Sequence, residues 1–593
     1  MIRHGWALAV LAATLGCASS GATRTRTTSD HESATAREAT EILNRLTPRQ
    51  KIAQLVVPWL NGSYAALDDS TLQIAKRWVD TLEVGGIIIS VGGPYDIATK
   101  LNELQRRSKL PLLVSADLEW GAAMRVVGAT AFPQIMAAGA TGDARDAYMI
   151  GRVAALEGRA VGIHVNFAPD ADVNNNPLNP IINIRSFGED PHAVARLVQA
   201  YVRGLQDNGM LATLKHFPGH GDTDVDSHIG LPAIRADYPR LDSVELVPFR
   251  AGIEAGARVV MSAHIAFPAF TGDAPATLSA SVLTGVLRDS LKFGGLVVTD
   301  ALQMGAIVTK YGAGEAAVRA FEAGSDLLLM PADPDSAIAS MLTALQTGRI
   351  TAARLDASVR RMLEIKSGLG LFKRRTVAID SIARVVGSKA FLDAADGIAQ
   401  RSLTLVRDTA GTIARLRRTR SRMAIIAYGD ELNSFAGQRM LELLRAGGDT
   451  VGYFRLWPMS GQSSYDSARV VIGRAPAVIF AASVRPISGR GFIALPDSLA
   501  RLITVTDSVK PTVLVALGSP YLLSQTPTVK SYVIAWSSVR VAEKAAARAL
   551  LGWSPIRGKL PIRIPPGYLI GHGLVVSDST VPPPKPPARV IIP

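Results

Sequence analysis

From Lys215 to His228 the chain reads Lys-His-Phe-Pro-Gly-His-Gly-Asp-Thr-Asp-Val-Asp-Ser-His. This stretch holds three of the protein's nine histidines, three carboxylates and a lysine, and Val225 is its only aliphatic side chain. Imidazoles and carboxylates at such density are the groups that move protons near neutral pH. The run is too polar for a core strand or an amphipathic helix, and Pro218, Gly219 and Gly221 break regular structure, so it is expected to be a loop. Met210-Leu-Ala-Thr-Leu214, directly before it, reads as a short buried strand. A proton-handling loop is therefore expected at the C-terminal end of that strand.

The same arrangement recurs along the first two thirds of the chain. Short apolar runs at Gln54–Val57, Gly86–Ser90, Leu112–Ala116, His164–Phe167, Leu211–Leu214, Val259–Ala263, Leu296–Thr299 and Asp326–Met330 alternate with helix-like patterns such as Ala193–Asn208 and Gly314–Ala323. This is the signature of βα units and parallel strands, in the count and size of a (β/α)8 TIM-like barrel. Asp117 follows the third run, Asp170 and Asp172 the fourth, Lys215 and His216 the fifth, His264 the sixth and Asp300 the seventh. In such a barrel these ends converge on one face, where active sites are built. A dinucleotide-binding sheet would instead need a Gly-rich turn after its first strand, and none is present. Beyond Lys373-Arg-Arg375 the composition shifts, and Met423–Tyr428, Ala477–Ala482, Thr512–Leu517 and Ser531–Trp536 predict a second, smaller α/β domain.

The 593 residues are 48% hydrophobic and 19% charged, a globular composition, with a formal net charge of +14. The cations are scattered. The densest group, Arg415-Leu-Arg-Arg-Thr-Arg-Ser-Arg422, is short and has no interleaved aromatics, which argues against a nucleic-acid partner and suits an anionic envelope polymer better. At the N-terminus, Arg3-His4 and an apolar run from Trp6 to Leu15 end at Cys17, the only cysteine, so no disulfide is available. The run is too short to span a bilayer and reads as an export signal. Thr14-Leu-Gly-Cys17 resembles a bacterial lipoprotein signal, with Thr14 where leucine is usual. The division expected is a signal at 1–17, a flexible tether at 18–40, a barrel at 41–374, an α/β domain at 375–578 and a Pro-rich tail at 579–593. The protein is expected to be exported, at the cell envelope or secreted, with membrane contact only through a lipid on Cys17.

The loop Lys215–Gly221 with Asp226-Ser-His228 resembles the signature of glycoside hydrolase family 3, in its β-N-acetylglucosaminidase branch. Ile184-Arg-Ser-Phe-Gly-Glu-Asp-Pro191, Val298-Thr-Asp-Ala-Leu-Gln-Met304, Leu46-Thr-Pro-Arg-Gln-Lys-Ile-Ala-Gln-Leu55, Val513–Tyr521 and Gly558-Lys-Leu-Pro561 are similar to further segments of that family. The resemblance implies a retaining glycosidase acting on a carbohydrate, with Asp300 as the nucleophile, His228 as acid/base and Asp226 orienting it. It also implies that Asp117, Arg125, Arg185, Lys215 and His216 hold the sugar, with no cofactor and no metal. Chemically, a carboxylate on one side of the anomeric carbon and a proton donor on the other are what cleavage requires. Most retaining enzymes use a second carboxylic acid as donor. Here Glu431, Glu442 and Glu543 are the only glutamates after Arg375, and none sits in a family acid motif.

Other readings of the same residues remain open. Asp300 alone is equally a strand-end cap, and a lone Arg or Lys is by default a surface cation. His216, His220, His228 and Asp222 are a possible metal set, though their spacing fits no common motif; otherwise His220 is a structural residue bonded within the loop, and Asp172 a support for it. Trp120 stands where the branch pattern is expected to hold a glycine, and would add a stacking wall. A β-glucosidase, a glycoside phosphorylase and a non-catalytic carbohydrate-binding lipoprotein are the alternatives.

Overall fold

A computed structural model describes residues 34–577, apart from Leu67, residues 419–421 and Leu432. The segment read as an export signal, with Cys17, most of the segment read as a tether, and the Pro-rich tail lie outside the described residues.

Eight strand positions form a parallel barrel: β1 (Val56–Val57) and β2 (Trp59–Leu60) as one strand interrupted at Pro58, then β3 (Gly86–Ile89), β4 (Leu113–Ala116), β5 (Val165–Asn166), β6 (Leu211–Phe217), β7 (Val259–Ser262), β8 (Leu296–Val298) and β9 (Leu328–Leu329). β2 to β8 pair in sequence order. The ring closes because β9 pairs with β1 while Val298 bridges to Leu327. Inside it, Val57, Leu113, Val165, Val259, Leu296 and Leu327 close around a void of only about 10 Å³, so the barrel is a packed core rather than a pore.

Three expectations need correction. The fifth strand does not stop at Leu214 but runs through Phe217, so Lys215 and His216 stand on the strand end. Phe217, fully buried and edge-on to Phe249 at 5.2 Å, anchors that extension, and the pairing with β7 shifts register between Leu214 and Phe217. The stretch read as a tether overlaps a helix at 34–43, held because Ala39 and Leu43 are buried and Arg360 donates to Thr40. The segment after Arg375 also stays with the barrel, since Ile382, Ala395 and Ile398 join its core.

The second sheet begins at β10 (Thr404–Asp408) and continues with β11 (Met423–Tyr428), β12 (Val451–Leu456), β13 (Ala477–Ala482), β14 (Thr512–Ala516) and β15 (Ser531–Ile534). Its order is β10-β15-β14-β13-β11-β12, parallel except for β10. β10 and β12, the two edges, are the strands absent from the sequence expectation. Alternation along β11 sends Ala424 and Ile426 to one apolar layer and Met423, Ile425 and Ala427 to the other, as a sheet covered on both faces requires. The first of these layers also takes in Met136, Ala137, Ala140 and Ile184 from the barrel domain, so the two domains share a core. No helix among the described residues is long and apolar enough to cross a membrane.

Candidate active site

A cavity of about 510 Å³ opens at the C-terminal ends of the barrel strands. Of the eight residues expected to do chemistry or hold sugar, Asp117, Arg125, Arg185, Lys215, His216, His228 and Asp300 line it, and Asp226 stands directly behind His228.

The β6 end and the loop after it supply two histidine–carboxylate pairs. His228 Nδ1 faces Asp226 Oδ1 at 2.8 Å, and the same oxygen accepts from the His228 amide at 2.9 Å. Burial pushes the Asp226 carboxyl up, but hydrogen bonds from the His228 ring and from the His228 and Gly489 amides outweigh it and hold the carboxyl below its ordinary range. With Asp226 ionised, Nδ1 carries the proton it donates and Nε2 is left to face the cavity. His216 Nδ1 meets Asp172 Oδ2 at 2.8 Å, while Asp172 Oδ1 accepts from the His216 and His220 amides. Burial lowers the His216 pKa, but Asp172 more than compensates and raises it. Asp172 thus organises the loop. The loop's turn needs two glycines: Gly219 has φ 140°, and a Cβ on Gly221 would lie 1.7 Å from the Val173 carbonyl oxygen.

Asp300 follows β8 and accepts from the Ala301 amide at 2.7 Å. Burial raises its pKa, but the positive potential of His264, His216 and His228 prevails and leaves it at about 2. It is an ionised carboxylate at any pH near neutrality.

Opposite lies a network of three carboxylates and three cations. Arg125 Nη2 donates to Asp117 Oδ2 at 2.9 Å and Lys215 Nζ lies 3.3 Å from Asp117 Oδ1. Lys215 also donates to Glu119 Oε1 at 2.7 Å, and Arg185 grips both Glu119 oxygens at 2.8 and 3.1 Å. Arg185 further contacts Asp170 Oδ1 at 3.1 Å. Burial would neutralise Glu119, yet Arg185 and Lys215 hold its pKa well below the carboxylate range. Asp170 goes the other way: with no exposure and no hydrogen-bond donor among the described residues, its burial outweighs Arg185 and raises it. Sequence reasoning missed Glu119 and Asp170 as site residues. Both were visible as acids at strand ends, but their place at the centre of the network depends on Arg185 arriving from the turn Asn183–Arg185 after β5 and Lys215 from the end of β6.

The possible metal set of His216, His220, His228 and Asp222 does not assemble among the described residues. His220 spends Nδ1 on Thr223 and Nε2 on Ser227, and Asp222 turns to Arg240. A different group, Asp170, Asp172 and His216, does bring ligand atoms within 4.8 Å of one another. There His216 Nδ1 is already paired with Asp172, and Arg185 supplies the positive charge. Trp120 lines the cavity, as do Gln303 and Met304 after β8. The wall not foreseen comes from the second domain: Arg485, Pro486, Ile487 and Ser488, on the loop after β13.

The profile of the Glycosyl hydrolase family 3 N terminal domain matches residues 47–365. The chain is 30% identical to the "Beta-N-acetylglucosaminidase/beta-glucosidase" of Cellulomonas fimi over 81% of its own length and 88% of that protein. It is 34% identical to "Beta-hexosaminidase LpqI" of Mycobacterium tuberculosis over 54% of this chain and 83% of that one. Among solved structures, a glycoside hydrolase family 3 beta-N-acetylglucosaminidase from Paenibacillus sp. str. FPU-7 superposes with TM-score 0.78 at 33% identity, covering 88% of this chain and 99% of the other. "Beta-glucoside phosphorylase BglX bound to 2FGlc" superposes with TM-score 0.81 at 26% identity, covering 89% and 96%.

Proposed function

Because the chain belongs to glycosyl hydrolase family 3, we propose that it releases terminal non-reducing β-linked N-acetylglucosamine with retention of configuration, from peptidoglycan- or chitin-type fragments. Asp300 attacks the anomeric carbon and forms a glycosyl-enzyme intermediate. His228 protonates the leaving oxygen and then draws a proton from the incoming water, with Asp226 holding its tautomer. Asp117, Arg125, Arg185, Lys215 and His216 hold the sugar, and Glu119 and Asp170 hold them in turn.

One observation carries this reading over the β-glucosidase alternative. The proton donor available beside Asp300 is the His228–Asp226 pair, while none of the second domain's glutamates lines the cavity. Glu543 caps the helix Gln438–Ala446, Glu442 pairs with Arg439, and Glu431 faces Arg490. The names of the Mycobacterium tuberculosis relative and the Paenibacillus structure support the same sugar, while the Cellulomonas fimi relative is named for both sugars.

The same pair favours a second reading, phosphorolysis. An imidazole donor places no carboxylate against an incoming phosphate, and one structural neighbour is a phosphorylase. Comparing p-nitrophenyl N-acetylglucosaminide with the glucoside, each with and without inorganic phosphate, separates these readings. Faster turnover of the glucoside overturns the sugar assignment, and a sugar 1-phosphate product replaces hydrolysis by phosphorolysis.

The reading is of an envelope enzyme anchored through Cys17. Cys17→Ala is expected to move the protein from the membrane fraction to the soluble one; unchanged membrane retention rules the anchor out.

A further inference from the structure

The proton donor marks a direction. His228 must face the leaving oxygen, so the cavity wall beside His228 borders the leaving group. What adjoins the His228–Asp226 pair is the second domain. The Gly489 amide donates to Asp226 Oδ2 at 2.8 Å, and the residues before it, Arg485 to Ser488, form a wall of the catalytic cavity.

Arg485 and Ile487 line a second cavity as well, of about 290 Å³, lying wholly in the second domain. Tyr428, Pro458 and Phe492 line it beside them. These three stand at or beyond the C-terminal ends of β11, β12 and β13, the edge at which parallel α/β sheets bind ligands. Phe492 is 61% exposed. Arg485 is pinned by Asp430, Nε to Oδ2 at 3.0 Å, and the nearby Arg490 faces Glu431. An exposed ring beside fixed, charge-balanced polar groups matches an uncharged pyranose, with its apolar face and its rim of hydroxyls, better than an acidic chain.

We propose that this second cavity is a subsite for the leaving chain, accepting its second and later sugars, so that the protein prefers oligosaccharides to disaccharides. The catalytic cavity takes the terminal sugar, the Arg485–Ser488 loop borders the first leaving sugar beside His228, and Phe492 stacks on a sugar beyond it. The inference rests on the glycosidase reading above but not on which sugar is cleaved.

The test measures kcat/KM for β-1,4-linked dimers and tetramers of both N-acetylglucosamine and glucose, in the wild type, Phe492→Ala and Phe492→Trp. In whichever series is cleaved, the tetramer-to-dimer ratio is expected to exceed one in the wild type. It should fall about tenfold in Phe492→Ala, the effect of one lost stacking contact, and return in Phe492→Trp. A ratio unchanged by Phe492→Ala overturns the subsite. Cleavage of the glucose series alone overturns the sugar assignment and leaves the subsite to be judged on that series. Cleavage of neither shows that the leaving chain is not a β-glycan of these sugars and overturns both.

Discussion

Asp300 is kept ionised by imidazoles rather than by an arginine or lysine. Arg185 and Lys215, the strong cations of the site, are committed to Glu119. A carboxylate paired tightly to a guanidinium would be a poor nucleophile, whereas one held by diffuse potential keeps its lone pairs free. Asp300→Asn is therefore expected to lower kcat by at least about a thousandfold while oligosaccharide binding, followed by calorimetry, changes little; retained turnover would sink the nucleophile assignment. His228→Ala should lose far more on substrates with poor leaving groups than on activated aryl glycosides, which need no protonation. Equal losses across a series of leaving groups would argue against an acid role.

At the level of elements, the loop after β6 is set by contacts that its own residues make with Asp172, Thr223 and Ser227. His220 sits inside it with both ring nitrogens bonded, and burial together with the charge of His216 lowers its pKa to about 4 from the ordinary 6.5. Between those values the unfolded chain binds a proton that the folded chain does not. The contribution is thus fully present above pH 6.5 and is lost as pH falls toward 4, by up to ~3 kcal/mol. His220→Gln, which keeps hydrogen-bonding groups but does not titrate, is expected to flatten the pH dependence of unfolding free energy in that window. Urea titrations from pH 7 to 4 check this, and an unchanged slope would place the acid sensitivity elsewhere.

At the scale of the whole molecule, the two domains act as one body. Asn174 donates to the Tyr521 hydroxyl at 2.9 Å, the Glu189 amide donates to the Pro561 carbonyl at 3.0 Å, and Glu189 itself is paired with Arg563. Tyr521 and Pro561 belong to second-domain segments that the sequence marks without giving a reason for them. In the fold they lie against the barrel loop that carries Arg185. Glu189→Ala is expected to remove about 1–2 kcal/mol, because it leaves the Arg563 amide and guanidinium without their acceptor. Differential scanning calorimetry should show a lower and broader transition as the domains uncouple; an unaltered endotherm would mean that the shared apolar layer alone joins them.

The sequence by itself determined the parts that are local. Period and spacing marked the barrel strands, since each buried parallel strand must be apolar over its own few residues, and the ionisable residues behind those strands were named, Glu119 excepted. The extent of β6, the edge strands β10 and β12, and the helix at 34–43 escaped it, because Phe217, Ala39 and Leu43 acquire their partners only through packing. The tertiary structure alone decided how the candidates are wired. Glu119 lies 96 positions from Lys215 and 66 from Arg185, and Gly489 lies 263 from Asp226. Whether a carboxylate is held ionised or pushed toward neutrality depends on burial and on charges brought across such distances. The chain therefore spelled out which groups were available, and folding decided which of them attack, which donate and which only hold the others in place.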